Sequence, residues 1–414
     1  MLLSSQPIFF RSMSSKLFMG FSRENYGACI PRLTSRFRFT LLVCLSSLFL
    51  NGLKAYAQSW SPDGKMIAIG GPSLQLLDAR ELNAASLSPS LPVIFTQSGS
   101  GTASAPVWSR DGRTLAYIAD GPKLTMLEMK DKRSKILDAN VVSPVAWSRD
   151  SALFAVVHQN EKGGLQALIR YRNGQTFLPP INLPFRSVPS IFPAVRFLTN
   201  TTNVIVAGGD GGKNDLHLLD EGEVVRLTTT GDVLGYAVSS DGTRLRWVRA
   251  SPNTHHILLQ IYEMNIDTRS LRKLPFPDRL PAVNPDPRNS PNSLAGVVFA
   301  PDMNSFVFIA RGGPQTVGNG SGLWISDITG KEVHFVGSGV SIPGMSGSAT
   351  GSTGAATTPT LTSFTAATGL TFPALPPTFS PDGRTLTALR AENGKRSLFV
   401  ANAATGQGKD IPLQ

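Results

Sequence analysis

Six aspartates recur at one place in a repeated phrase: Asp63, Asp111, Asp150, Asp241, Asp302 and Asp382. Such a ring of carboxylates could supply calcium ligands or general acids. Each, however, stands in a Ser-Pro-Asp-Gly type phrase whose chemistry is that of a turn. Pro is preset for the second position of a type I turn, Asp tolerates the third, and Gly takes the positive φ that follows. The acids are therefore expected to build hairpins, and no calcium loop follows from them.

The other reactive residue types lead no further. Of the five histidines, His255 and His256 are sequential and would point to opposite faces of a strand, which prevents them from sharing one ion. His158, His217 and His334 fall in separate repeats and are expected to be solvated or hydrogen-bonded strand residues. The hydrolase elbow G-x-S-x-G is missing, since Gly318-Asn319-Gly320-Ser321-Gly322 places its serine one position late. A phosphate loop is suggested by Gly208 to Asn214, but Ala207 stands where its first Gly belongs, Asn214 replaces the Ser or Thr, and no helix follows. No catalytic, cofactor-binding or metal-ligating residue is assigned, no cofactor is expected, and the chain is expected not to be an enzyme.

The elements that carry these residues repeat along the chain. The phrase begins at Trp60 (WSPDGKMIAIGG), Trp108 (WSRDGRTLAYIAD), Trp147 (WSRDSALFAVVHQ), Val238 (VSSDGTRLRWVRA), Phe299 (FAPDMNSFVFIAR) and Phe379 (FSPDGRTLTALRA). Each copy reads as a strand end, a tight turn and a run of β-branched or alternating apolar residues, which is a hairpin signature. The turn aspartates are 48, 39, 91, 61 and 80 residues apart. The gap of 91 holds a degenerate copy, Ala194 to Gly209, with Phe197 at the aromatic position and Asn200 at the acid position. After each hairpin come further strand-like segments such as Leu74 to Ala79, Lys123 to Met129, Leu216 to Glu221, Leu323 to Ile328 and Ser397 to Ala403. Four strands in about 40 to 50 residues is the dimension of a propeller blade. The fold class is all-β, a β-propeller of four-stranded blades, with seven favoured over six.

These copies resemble the WD-like Pro-Asp repeat of TolB-type β-propellers, also found in the propeller domains of prolyl oligopeptidases, over nearly all of residues 58–414. Ser151, Thr201 and Met303 in place of the turn Gly, and the missing Asp in the fourth copy, depart from the pattern and leave the local turn type open. The resemblance implies a periplasmic scaffold working with envelope partners, outer-membrane lipoproteins among them. It implies no activity, because one fold carries many.

Residues 39–50 form a short apolar run preceded by Arg32, Arg36 and Arg38 and followed by Ala55-Tyr56-Ala57, the pattern of a secretory signal peptide cut after Ala57. The run is shorter than the roughly 20 residues of a membrane span. Both cysteines, Cys29 and Cys44, lie in this leader, so the mature chain would have neither disulfide nor thiol nucleophile. The leader also carries seven Lys or Arg against one acid, so the formal charge of +11 falls to +5 on residues 58–414. Scattered through turns, that charge is ordinary for solubility and shows no stripe for nucleic acid.

Residues 58–414 are expected to form a single domain with two insertions. Leu274 to Asn292 carries six prolines, and residues 337–374 are nearly uncharged and rich in Gly, Ser and Thr, with Phe364, Leu370 and Phe372 as possible anchors. The recurring aromatics Trp60, Trp108 and Trp147, with Phe197, Phe299 and Phe379 as counterparts, could stack on sugars. Occurring once per blade at the end of an inner strand, they are expected instead to pack between neighbouring blades. The leading expectation is an exported, non-enzymatic, monomeric propeller, periplasmic or secreted, that binds an envelope protein or peptide. The alternative is a propeller enzyme or carbohydrate binder that uses channel-lining acids, Arg and His.

Overall fold

A computed structural model describes residues 57–80, 82, 91–97, 102–189, 192–198, 201–251, 258–277, 294–311, 321–338, 377–392 and 395–413. Residues 1–56 of the expected leader, 278–292 and 339–374 of the two insertions, Asn200, His255 and His256 lie outside the described residues. The chain divides into Met1–Gly52 and Leu53–Gln414, and everything described belongs to the second unit.

Twenty-eight strands in the described residues form seven sheets, each of four antiparallel strands taken in chain order. The blades are therefore seven, and all-β. Their first strands are Gln58–Trp60, Ala103–Trp108, Ala146–Trp147, Val195–Phe197, Val233–Val238, Leu294–Phe299 and Thr378–Phe379. The degenerate copy makes blade four, and its glycine-rich segment is the turn between Val204–Gly208 and Asp215–Asp220.

Five of the turns share one hydrogen-bond pattern, shown by the first. The Ser61 hydroxyl donates to Asp63 Oδ1 at 2.6 Å, the same oxygen accepts the Lys65 N–H at 3.1 Å, and Ser61 Oγ accepts the Met66 N–H at 2.9 Å. Gly64 closes the turn at φ 70°. Ser109 with Asp111, Ser148 with Asp150, Ser239 with Asp241 and Ser380 with Asp382 repeat the serine-to-aspartate bond. The serine hydroxyl and the local N–H donors hold Asp241 down at about 2. Carboxylates so committed are turn formers, as the sequence indicates.

Two departures from the Gly position keep the turn geometry. Ser151 and Met303 adopt φ 61° and 63°. Ser151 is compensated by its hydroxyl, which accepts the Asp111 N–H of blade two at 3.1 Å. Met303 is 5% exposed and packs in the cluster of Phe299, Phe306 and Phe308. Met303→Gly would relieve a left-handed cost of about 1 kcal/mol but forfeit apolar burial of about 1.5–3 kcal/mol. The expected net result is a loss of about 0.5–2 kcal/mol on those terms, read as a lower denaturant midpoint; an increase would show that backbone strain dominates there.

The core is divided among the blade interfaces. Seven buried apolar clusters occur, each joining residues of two neighbouring blades. Alternation along the middle strands produces this division. In blade three, Leu153, Ala155 and Val157 face blade four, whereas Phe154 and Val156 face blade two. Both faces of a blade are thus buried, which explains why these strands read as continuous apolar runs. Inner strands also approach closely: a Cβ on Gly235 of blade five would lie 2.0 Å from the Val297 carbonyl oxygen of blade six.

Among the described residues no strand is shared between the last blade and the first. Ring closure rests on Gln58 Nε2 donating to the Thr387 carbonyl at 3.1 Å and on Trp60 Nε1 donating to Thr387 Oγ1 at 3.0 Å. Behind them Ile67, Ile69 and Leu77 pack on Leu398, Val400 and Ile411.

Candidate functional site

The seven first strands and the turns that follow them surround a cavity of about 640 Å³. The recurring aromatics ring it. Trp108 and Trp147 are 5% exposed, and each indole donates to the preceding blade: Trp108 to the Ser59 carbonyl at 3.2 Å and Trp147 to the Val107 carbonyl at 3.4 Å. Trp60 does the same across the closing seam. These rings pack between blades as expected, and the parts that reach the cavity contribute an aromatic floor.

Among the described residues that line it, the charged ones are three arginines, Arg110, Arg149 and Arg196, and there is no Asp, Glu, Lys or His. Two arise in the turns, where Arg110 and Arg149 occupy the second position that Pro301 and Pro381 hold in blades six and seven. The third lies on a first strand, where Arg196 takes the place of Ser59, Val107, Ala146, Ala237, Val298 and Thr378 in the other blades. Blades two, three and four therefore present a cationic wall. Ser240, Pro301 and Pro381 of blades five, six and seven make the facing wall neutral.

Like charges act on one another along this wall. Burial, then repulsion from Arg196 and from Arg149, pulls the Arg110 guanidinium below its usual value. Burial lowers Arg196 as well. Arg196 Nε is buried and has no hydrogen-bond partner among the described residues. Guanidinium groups so perturbed remain charged at neutral pH, because the starting value is so high. The wall is thus a fixed positive field at the cavity.

The histidines fall apart as the sequence implies. His158 Nδ1 lies 2.9 Å from the Ala139 carbonyl and 3.4 Å from Asp138, between blades two and three. His217 is 4% exposed; its ring interacts with the backbone of Val206 and Asp215, its Nδ1 has no partner among the described residues, and the ring sits 4.9 Å from that of Phe185. Burial, its largest influence, lowers its basicity, so it is held neutral. Among the described residues no three His, Cys, Asp or Glu gather as a metal site.

Sequence reasoning passed over the arginine wall. Its trace is nevertheless present, because WSRDG and WSRDS carry Arg where WSPDG and FSPDG carry Pro, and Ala194 to Leu198 places an Arg one residue before the repeat aromatic.

No family model matches the chain, and no curated protein matches it. Similar solved structures include an oligogalacturonate lyase in complex with manganese, at 14% identity and TM-score 0.56 over 84% of this chain and 89% of that one. They also include prolyl endopeptidases, at 12% identity and TM-score 0.52 over 91% of this chain and 53% of theirs. TolB from Acinetobacter baumannii is a structural neighbour at 14% identity and TM-score 0.43, over 87% and 79% of the respective chains. At such identities the likeness is one of fold, and the fold is a seven-bladed β-propeller of four-stranded blades.

Proposed function

We propose that the protein is an exported, non-enzymatic β-propeller that binds an envelope protein or peptide at its channel. The observation that carries this reading is the composition of the cavity wall. General acid–base catalysis needs a group that titrates near the working pH, and among the described residues the lining offers Arg, Ser, Thr, Gln and Trp but no Asp, Glu, His, Lys, Tyr or Cys. What remains is a recess with aromatic, proline and guanidinium surfaces, the mixture that fixes a ligand without transforming it. Export rests on the Arg-flanked apolar run and its Ala-Tyr-Ala site. No helix of the described residues is long and apolar enough to cross a membrane.

A second reading, a propeller enzyme or carbohydrate binder, draws on the same wall: the arginines it would need at one channel end are there, with the aromatic rings beside them, while the acids and histidines are not among the lining residues. Ser240 separates the readings experimentally, since it is exposed in the cavity at a turn position. Affinity capture from the native host's envelope fraction should retain a discrete partner with the wild-type protein and lose it with Ser240→Trp, which fills the recess. Identical capture by both proteins, or turnover of a supplied oligosaccharide, would overturn the proposal.

A further inference from the structure

We infer that the channel is an oxyanion site, in which Arg110, Arg149 and Arg196 receive a ligand that carries two or more carboxylate or phosphate groups. This inference rests on the reading of the channel as the binding site and names the chemistry it selects.

Arginine is seldom left in a recess without a counter-charge, because removing its charge from water is costly unless that charge is paired. Here the described lining residues include no carboxylate, and Arg196 Nε is buried without any acceptor among the described residues. The guanidinium of Arg110 also feels both other arginines as like charges. Each feature opposes the empty state and is relieved by an anion. A polyanion between the three groups would give the buried Arg196 Nε an acceptor, offset the repulsion at Arg110 and gain the bidentate geometry that guanidinium offers to carboxylate and phosphate.

The placement of the arginines adds direction. They come from three consecutive blades, so the anionic groups must lie to one side of the channel axis. The remainder of the ligand then faces Ser240, Pro301 and Pro381. Nothing in the fold requires Arg110 or Arg149, since other blades make the same turn with Pro at that position. The cationic wall is therefore an addition to the propeller framework.

Titration calorimetry of the purified protein at low ionic strength tests this, using citrate, tripolyphosphate and acetylated hexaglutamate as probes and hexalysine amide as the cationic control. At least one polyanion should bind with unit stoichiometry, and the responsive probe tells a carboxylate source from a phosphate one. Affinity should fall at least tenfold in Arg196→Gln and in Arg110→Pro, while Lys130→Gln, at an exposed outer turn, should leave it unchanged. Arg110→Pro restores the turn residue of blades six and seven and is expected to fold, so a loss of binding there cannot be attributed to unfolding. Absence of binding by all three polyanions, or equal binding by wild type and both arginine variants, would overturn the inference. If Ser240→Trp still abolished partner capture in that case, the binding reading would survive and only the charge assignment would fall; failure of both would remove both.

Discussion

Glu263→Ala is expected to destabilise the protein by about 3–5 kcal/mol, the range for breaking a buried ion pair from one side. Glu263 and Arg246 are 4% and 8% exposed. Arg246 Nε donates to Glu263 Oε2 at 3.1 Å, and Arg272 Nε donates to Oε1 at 3.0 Å. With the carboxylate oriented in this way, Arg246 also donates through Nη1 to the Met303 carbonyl of blade six. Removing Glu263 strands a buried guanidinium and loosens the interface between blades five and six. Equilibrium urea unfolding measures the cost, and a loss below about 1 kcal/mol, the level of an exposed pair, would show that water already screens the triad.

The same carboxylate makes a prediction in pH. Burial alone would raise the Glu263 pKa, but the hydrogen bonds from Arg246 and Arg272 and then their charges outweigh it, and the folded value lies below the usual glutamate range. The unfolded chain therefore binds the proton more readily. Its contribution is fully present above the unfolded value and is lost as pH falls through the folded one. The wild-type protein should lose stability on acidification below about pH 4.5, the unfolded glutamate region, and Glu263→Ala should lose less over the same interval.

Trp147→Ala is the second large effect, at about 3–5 kcal/mol for a buried aromatic truncated to alanine. The indole lies edge-on to Phe154 with centroids 5.9 Å apart, and its N–H reaches blade two at the Val107 carbonyl. The loss combines a cavity between blades two and three with an orphaned carbonyl. Trp147→Phe separates the two contributions, because it keeps a ring and removes the N–H; at the long separation of 3.4 Å that bond is expected to cost no more than about 1 kcal/mol. Urea titrations of both variants decide it. Equal losses in Trp147→Phe and Trp147→Ala would mean that the hydrogen bond, and not packing, joins the blades.

The parts of the architecture that were legible in the sequence are those encoded by neighbours in the chain. Ser61-Pro62-Asp63-Gly64 specifies its own turn through bonds spanning five residues or fewer, so repeating it announces each hairpin. Blade number followed from counting, once Phe197 was aligned with the repeat aromatics. Met303 and Ser151 left the local turn type open, and there tertiary contacts decided the outcome: a phenylalanine cluster for one and the Asp111 amide for the other. The arginine wall was hidden for the converse reason. Arg110, Arg149 and Arg196 are about 40 residues apart and meet only when three blades are placed around an axis. In the chain they read as scattered solubility charge. The burial of His217 against Phe185 was hidden similarly, because it depends on a segment more than 30 residues away.

Site-specific photocrosslinking in the native host tests the central claim, that the channel is where this propeller binds, most directly. A photoreactive residue at position 240 lies in the recess, and one at position 225 replaces Val225, which is 38% exposed on the outer strand of blade four. The account predicts a discrete crosslinked partner from position 240 and none from position 225. Crosslinks from position 225 with none from position 240 would contradict it and move the binding surface to the outer edge of the blades.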